Sequence, residues 1–162
     1  MKKVTLLPLI ILVLAFLGIA DAWYLAQSAL SGTPLACDIN GLTSLSGCNI
    51  VAQSPYSHFF DVPLGVYGVF FYGLVFVAAA IALVTSHKKV HLGLHALGVL
   101  GVLASLIFLF IQFVLIKAFC MYCLASAGIA LFIFFASFRL WKITDSEDSK
   151  KPAVVPWGSD VM

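Results

Sequence analysis

The chain alternates between long apolar runs and short polar breaks. The apolar runs cover residues 4–30, 64–84, 92–116 and 120–140, and each is close to the ~20 residues that a helix needs to cross a bilayer. The longest internal polar segment, 31–63, is punctuated by Gly, Pro, Ser and Thr, which is typical of a loop. We therefore predict four transmembrane helices, with the long loop between the first two and a short helix around residues 50–60 within it.

The composition indicates that lipid is the main solvent of the chain. Its 162 residues are 62% hydrophobic and 10% charged, whereas soluble domains contain about 25% charged residues. So few charges cannot cover a water-facing surface. The predicted fold class is an all-α integral membrane protein, a four-transmembrane-helix bundle in residues 1–143. We predict that the polar tail, 144–162, is disordered, and no basic stripe indicates nucleic-acid binding.

The first apolar run has two interpretations. Lys2, Lys3, the run itself and the Ala20-Asp21-Ala22 segment imitate a signal peptide with its cleavage site. Against cleavage, the apolar run exceeds the ~7–15 residues of a signal peptide and continues past Ala22. We expect residues 1–22 to be retained as part of the first helix, with cleavage as the alternative.

The basic residues predict the orientation of the bundle. In a four-span topology one side carries most of them: Lys2, Lys3, Lys88, Lys89, Arg139, Lys142, Lys150 and Lys151. Lys117 alone falls on the other side. The positive-inside rule then places both termini in the cytoplasm. The cysteine-bearing loop 31–63 and the start of the fourth span become extracytoplasmic.

The four cysteines form two pairs, both on that extracytoplasmic side. We call Cys37 and Cys48 the loop pair, and Cys120 and Cys123 the CxxC pair. The second pair opens a predicted helix, whose free amides and dipole favour thiolate, the attacking species in disulfide exchange. Structural disulfides and a zinc site of four thiolates are the alternatives, although an oxidising compartment favours disulfides over zinc. We interpret the pairs as a redox relay.

The surroundings of the cysteines resemble the vitamin K epoxide reductase family. The resemblance rests on the loop pair, on Ser54, on the Pro63–Gly68 segment and on the CxxC that opens the fourth span, and it extends over about residues 12–138. It is to the bacterial branch, the disulfide-forming members without a fused thioredoxin-like domain. The family fold is a four-helix bundle that encloses a quinone and is capped by the loop.

The resemblance implies a quinone-dependent thiol oxidase in the bacterial cytoplasmic membrane. Its partner would be a soluble extracytoplasmic thioredoxin-fold protein of the DsbA-like kind, and its electron acceptor ubiquinone or menaquinone, with no metal; we expect a monomer. Carried over, Cys37 exchanges with the partner, Cys48 exchanges with Cys120, and Cys123 faces the quinone. Ser54 corresponds to a loop Ser/Thr that supports the loop near the active site.

The chain departs from the family pattern at three places. The ten residues between Cys37 and Cys48 exceed the usual spacing. Leu64 occupies the position of a quinone-binding Asn in animal members, and Ala127 that of a Tyr. These losses favour quinone reduction over epoxide reduction, which needs a placed acid or donor. The candidate quinone-pocket residues are Leu64, Tyr67, Phe71, Gln112 and Ala127, and for Gln112 an interhelical hydrogen bond is the alternative role.

Three other functions stay open. The first is a vitamin K epoxide reductase proper, with the same scaffold and another substrate. The second is a DsbB-like oxidase, in which the CxxC lies in the first outer loop instead of at the last span. The third is a non-enzymatic membrane scaffold whose loops are stapled by disulfides. The Cys120→Ala variant separates the enzymes from the scaffold. An oxidase should accumulate a trapped partner adduct or a stalled loop disulfide and lose quinone reduction, whereas a scaffold should keep whatever activity it has and trap nothing.

A few other polar residues lie in or near the spans. Asp21 is either a functional acid or a helix-packing group, since acidic residues within a membrane are functional candidates by default. Lys117 either favours the Cys120 thiolate or extends to the lipid headgroups. His87, His91 and His95 have helical spacing, and we interpret them as a solvated turn instead of a metal-binding face.

Overall fold

Four long helices correspond to the four apolar runs. A computed structural model describes residues 2–37, 47–85 and 87–148, with side chains between residues 5 and 146 of those ranges. The helices are α1 (Lys2–Ser31), the short α2 (Cys48–Ala52), α3 (Leu64–Val84), α4 (Lys88–Phe110) and α5 (Met121–Asp148). All but α2 are long and apolar enough to span a membrane, so the predicted all-α membrane class is confirmed.

The helix bounds differ from the prediction mainly at the end of α5. The helix continues to Asp148, so residues 144–148 are helical and are not the start of a disordered tail. The polar residues there stabilise the helix, since Lys88 pairs with Asp145 and the Thr144 hydroxyl donates to the Leu140 carbonyl at 2.9 Å. The remainder of the predicted tail, 149–162, lies outside the described residues, as does loop segment 38–46.

The third span ends in a wider turn. After α4 the chain continues as a π-helix, Ile111–Ile116, and then reaches Lys117 in the left-handed conformation, with φ 54°. Single turns of π-helix occur often at functional sites. Here the π-helix ends directly before the CxxC pair, so it sets the position of Gln112 relative to these cysteines.

The loop between α1 and α3 contains ordered structure after Cys48. Beyond α2 it forms a 3₁₀ turn, Pro55–Ser57, and a small antiparallel hairpin of β1 (His58–Phe59) and β2 (Val62–Pro63). The helix predicted around residues 50–60 is therefore α2, which ends at Ala52, and the prediction was wrong for the residues beyond it. The last part is a hairpin because the two residues at its tip adopt positive φ, as tight hairpin turns require.

The long helices form a ring in which backbones approach closely. Helix α1 packs against α3 and α5, and α4 packs against α5 and α3. A Cβ atom added to Gly65 would lie 2.5 Å from the Ala26 nitrogen, and one added to Gly98 would lie 2.9 Å from the Ser137 hydroxyl. Close contact through small residues is how membrane helices associate. The ring brings the end of α1, the start of α3, the π-helix and the start of α5 to one end of the bundle.

Candidate redox site

The loop pair forms a disulfide at this end of the bundle. The sulfurs of Cys37 and Cys48 are 2.10 Å apart. Cys48 is the first residue of α2 and is completely buried, and Cys37 is also buried. A disulfide occupies two of the four thiols, so it is incompatible with the alternative of a four-thiolate zinc site.

The CxxC pair is reduced, and its two members have different surroundings. Cys120 precedes α5 and is only 1% exposed, whereas Cys123 is partly exposed. The Cys123 amide donates a hydrogen bond to the Cys120 sulfur at 3.4 Å. Cys120 is therefore sealed inside the protein, and Cys123 is the member that a molecule from the lipid phase could approach.

The two pairs meet in one buried cluster. Cys37, Cys48 and Cys120 pack together there with Leu35. The backbone of Gly47 lies against the residues before the CxxC pair, since an added Cβ would be 2.8 Å from the Ala118 Cβ. The absence of a side chain at Gly47 thus lets Cys48 approach Cys120.

Three side chains fasten the segment that precedes Cys37. The Asn49 amide oxygen accepts a hydrogen bond from the Leu35 nitrogen at 2.8 Å. The hydroxyl of Tyr24 accepts one from the Ala36 nitrogen, and the hydroxyl of Tyr122 donates one to the Ala36 carbonyl at 3.0 Å. The two tyrosine rings pack with centroids 5.0 Å apart. We call Tyr24, Asn49 and Tyr122 the clamp.

Sequence reasoning missed the clamp. Tyr122 lies inside the CxxC and Asn49 directly follows Cys48, so their positions offered a signal that was not used. Nothing in the sequence connects Tyr24 with Ala36, because the contact depends on how α1 meets the loop.

Gln112 connects the π-helix to the CxxC pair. Its side chain is 3% exposed, its oxygen accepts a hydrogen bond from the Cys120 amide at 3.2 Å, and its nitrogen donates to the Cys123 sulfur. Of the two roles expected for Gln112, the contact seen is a hydrogen bond between segments. It satisfies a buried amide that precedes α5 and has no partner within that helix.

Cys120 is the thiol more ready to ionise. Its pKa is lowered, above all by a hydrogen bond from the Cys123 thiol, and the backbone amides of Cys123 and Tyr122 act in the same direction. Burial and the charge of Asp21 oppose this effect. Of the two roles considered for Lys117, support of the Cys120 thiolate is not seen, since this lysine is not among the causes of the lowered pKa.

The other predicted site residues are spread over the cap and the helices. The Ser54 hydroxyl donates to the Val51 carbonyl at 2.7 Å, which supports the turn after α2. The Tyr67 hydroxyl donates to the Phe59 carbonyl in the hairpin. Phe71 packs against Gly101 of α4. Leu64, at the start of α3, and Ala127, in α5, are partly buried.

The histidines of α4 lie at the opposite end of the bundle. We expected a solvated turn, but His91 is 1% exposed and His95 stacks on Trp141 with centroids 5.5 Å apart. The difference arises because α4 begins at Lys88, which places His91 and His95 inside the helix and against its neighbours. Within the described residues, no group of three or more His, Cys, Asp or Glu could hold a metal ion.

The fold and the site together define a four-helix membrane protein with a disulfide and a dithiol packed at one end. The model of the vitamin K epoxide reductase family matches residues 9–138, which is most of the chain, so this protein belongs to that family. It is therefore a membrane oxidoreductase that acts on thiols, in a family whose members use quinones. A search of the curated proteins gives no match.

Proposed function

We propose that the protein is a quinone-dependent thiol oxidase that reoxidises a soluble thioredoxin-fold partner, of the DsbA-like kind, and thereby supports disulfide formation. The observation that carries the proposal is the shared buried cluster of Cys37, Cys48 and Cys120. An oxidised pair and a reduced pair in contact have the arrangement that thiol–disulfide exchange requires. The placement of the lysines and arginines supports an extracytoplasmic position for the site in the bacterial inner membrane.

The proposed electron route has three steps. A partner dithiol reduces the Cys37–Cys48 disulfide and leaves as a disulfide. The Cys48 thiolate then attacks Cys120 of the oxidised CxxC pair, and Cys37 resolves the mixed disulfide. This returns the loop pair to its disulfide and leaves Cys120 and Cys123 as thiols, the state described above. Reoxidation of the CxxC pair then delivers two electrons to the quinone.

The surroundings of Cys123 suit a quinone. The bundle is apolar, Gln112 and Ser126 supply hydrogen-bonding groups near this cysteine, and one buried carboxylate oxygen of Asp21 has no hydrogen-bond partner among the described residues. When bound, a quinone accepts two electrons and two protons. Leu64 and Ala127 offer no hydrogen-bonding side chain, which favours quinone reduction over epoxide opening.

Quinone reduction by the purified protein tests the proposal. Purified protein is mixed with a reduced thioredoxin-fold protein and with ubiquinone or menaquinone, and quinone loss is followed by absorbance. We expect turnover with at least one quinone and none in the Cys120→Ala variant. If the wild type reduces neither quinone, the proposal is wrong.

A cross-linking experiment tests the route itself. In a Cys37→Ser/Cys123→Ser double variant, the remaining Cys48 and Cys120 should form a disulfide on mild oxidation, to be detected by mass spectrometry of peptides. The matched control is Cys48→Ser/Cys120→Ser, which keeps Cys37 and Cys123 and should give little cross-link. Equal yields from the two variants would contradict the proposed exchange between Cys48 and Cys120.

A further inference from the structure

A polar cluster lies one helical turn beyond Cys123, inside the bundle. Ser126 is three residues after Cys123 on α5, so both side chains are on the same face of the helix. The Tyr72 hydroxyl of α3 donates to the Ser126 carbonyl at 2.8 Å and lies 2.8 Å from the Ser126 hydroxyl. The Ser126 hydroxyl in turn donates to the Asp21 carboxylate of α1. Three helices thus contribute one side chain each.

Asp21 is an unusual group for this position. One of its carboxylate oxygens is buried without a hydrogen-bond partner. Within the described residues no lysine, arginine or histidine forms an ion pair with Asp21, and the Lys88–Asp145 ion pair lies at the other end of the bundle. An unpaired carboxylate is costly in a membrane interior. Such a group takes up a proton readily when one is released beside it.

The packing of the helices holds the side chains of this cluster in place. The Tyr72 ring is 3% exposed and fills the space beside Gly18, where an added Cβ would be 2.5 Å from the ring. Gly18 is three residues before Asp21, so the same face of α1 both receives the ring and presents the carboxylate. Helix packing therefore fixes the Tyr72 hydroxyl, and through it the Ser126 hydroxyl.

We propose that Asp21 holds the proton that the Cys123 thiol releases during reoxidation of the CxxC pair, with Ser126 as the relay and Tyr72 as the residue that orients Ser126. This inference rests on the proposed oxidase function and adds the path of the proton to the path of the electrons. In the state described, the Cys123 thiol donates to Cys120. When the two sulfurs bond, this proton is released, and the Ser126 hydroxyl, one turn along the same helix face, can accept it while it donates its own to Asp21.

The step balances in atoms and electrons. The Cys120 thiolate and the Cys123 thiol form a disulfide, which releases two electrons and one proton. Both electrons go to the quinone. The proton passes through the Ser126 hydroxyl to Asp21, which then returns it to the reduced acceptor. The reduced quinone needs a second proton, which comes from water at the cysteine end of the bundle. It balances the proton that Cys120 lost when it ionised.

Within the described part of the chain, the charge of Asp21 acts on four titratable groups. They are Tyr72 from α3, and Tyr122 and the two CxxC thiols at the start of α5. The negative charge of Asp21 raises the pKa of Cys120. Removal of that charge should therefore make Cys120 ionise at lower pH, whether or not a quinone is present.

The test compares Asp21→Asn with the wild type in two measurements. The first is quinone-driven oxidation of the reduced CxxC pair as a function of pH. We expect a loss of about a hundredfold near neutral pH, the low end of what proton transfer contributes, and a smaller loss as pH rises, because the thiol then ionises without a proton acceptor. A purely structural role for Asp21 would give a loss independent of pH, and either that or no loss would overturn the proposal.

The second measurement needs no quinone. The ultraviolet absorbance of the thiolate, recorded on protein with a reduced CxxC pair and an intact loop disulfide, should reach half its maximum at lower pH in Asp21→Asn than in the wild type. Asp61→Asn is the matched control, the same change in the hairpin, and should leave both profiles unchanged. An unshifted profile in Asp21→Asn would overturn the proposed role of Asp21, whether or not the protein reduces a quinone. A failure to reduce any quinone would by itself refute only the oxidase function.

A second variant guards against misfolding of Asp21→Asn. Ser126→Ala keeps the carboxylate and removes the relay hydroxyl. It should lower the rate of quinone-driven oxidation with the same recovery at high pH. If Ser126→Ala oxidises at the wild-type rate across the pH range, Ser126 is not the relay and the proposed proton path is wrong.

Discussion

The hydroxyl of Tyr122 donates a hydrogen bond to the carbonyl of Ala36 at 3.0 Å. Tyr122 lies between the two cysteines of the CxxC pair, and Ala36 directly precedes Cys37. This one bond therefore connects the two cysteine pairs independently of their sulfur chemistry. It holds the loop pair against the CxxC pair in the state in which the loop pair is a disulfide and the CxxC pair is reduced.

The first prediction concerns this bond. Tyr122→Phe removes the hydroxyl and keeps the ring contact with Tyr24, so it should lower the free energy of unfolding by about 1 kcal/mol, the usual net value of a hydrogen bond. The freed segment should also let dithiothreitol reduce the Cys37–Cys48 disulfide faster. Both are measured in detergent, by thermal unfolding and by timed alkylation.

The control for Tyr122→Phe is the same change at Tyr56. This tyrosine is 49% exposed in the loop and forms no hydrogen bond through its side chain to another described residue. Tyr56→Phe should change neither quantity. An equal acceleration of disulfide reduction in both variants would mean that the Ala36 bond does not hold the loop.

The second prediction concerns the contact between α2 and the CxxC pair. A methyl group on Gly47 would lie 2.8 Å from the Ala118 Cβ and 3.0 Å from the Phe119 backbone. Gly47→Ala should therefore move Cys48 away from Cys120, with a cost of about 1–3 kcal/mol, as for other overpacked sites. The yield of the Cys48–Cys120 cross-link in the double variant described above should fall.

Gly73 provides the matched control for Gly47. No atom lies within 4 Å of a Cβ added to Gly73, and the residue is inside α3, where alanine is favoured over glycine by about 1 kcal/mol. Gly73→Ala should keep the cross-link yield and leave stability unchanged or higher. A normal cross-link yield in Gly47→Ala would contradict the tight approach at this position.

The third prediction concerns Gln112. Gln112→Leu removes the oxygen that accepts a hydrogen bond from the Cys120 amide. The buried amide is then left without a partner, which should lower the free energy of unfolding by about 1–3 kcal/mol. Thermal unfolding in detergent measures the loss. Gln27→Leu, at an exposed position of α1, is the control and should unfold like the wild type; equal stability of the two variants would show that the Gln112 bond contributes nothing.

The fourth prediction concerns the pH dependence of Cys120. The Cys123 thiol lowers the pKa of Cys120 by a hydrogen bond. Cys123→Ala removes that donor, so the pKa of Cys120 should rise and the half-maximal ultraviolet absorbance of the Cys120 thiolate should move to higher pH. Cys123→Ser keeps a donor and should shift the profile less. A shift to lower pH in Cys123→Ala would contradict the assigned cause.

Much of the fold could be predicted because lipid imposes simple rules on a chain. A helix satisfies its own backbone groups, so a run of apolar residues long enough to span becomes one; α3 has the predicted bounds, 64–84. The prediction for α5 was wrong beyond residue 140 because the bonds that extend the helix are polar. These bonds form at the ends of helices, where hydrophobicity gives no signal.

The candidate site could be predicted only in part. Spacing and position singled out all four cysteines, and they do meet in the structure. Gln112 was singled out as a polar residue in a span, but its hydrogen bond to the Cys120 amide depends on the π-helix. The clamp and the cluster of Asp21, Tyr72 and Ser126 join residues of different helices, and no local pattern encodes such contacts.

The sequence by itself determined a four-span membrane protein with two cysteine pairs at one end, and its family resemblance. These properties follow from hydrophobicity, charge and spacing, which act locally along the chain. Only the tertiary structure decided that Cys120 is sealed and Cys123 accessible, that Gly47 admits Cys48 to the CxxC pair, and that Asp21 faces Ser126. Each depends on how closely segments that are distant in the sequence approach one another, a distance set by the packing of the helices and the loop.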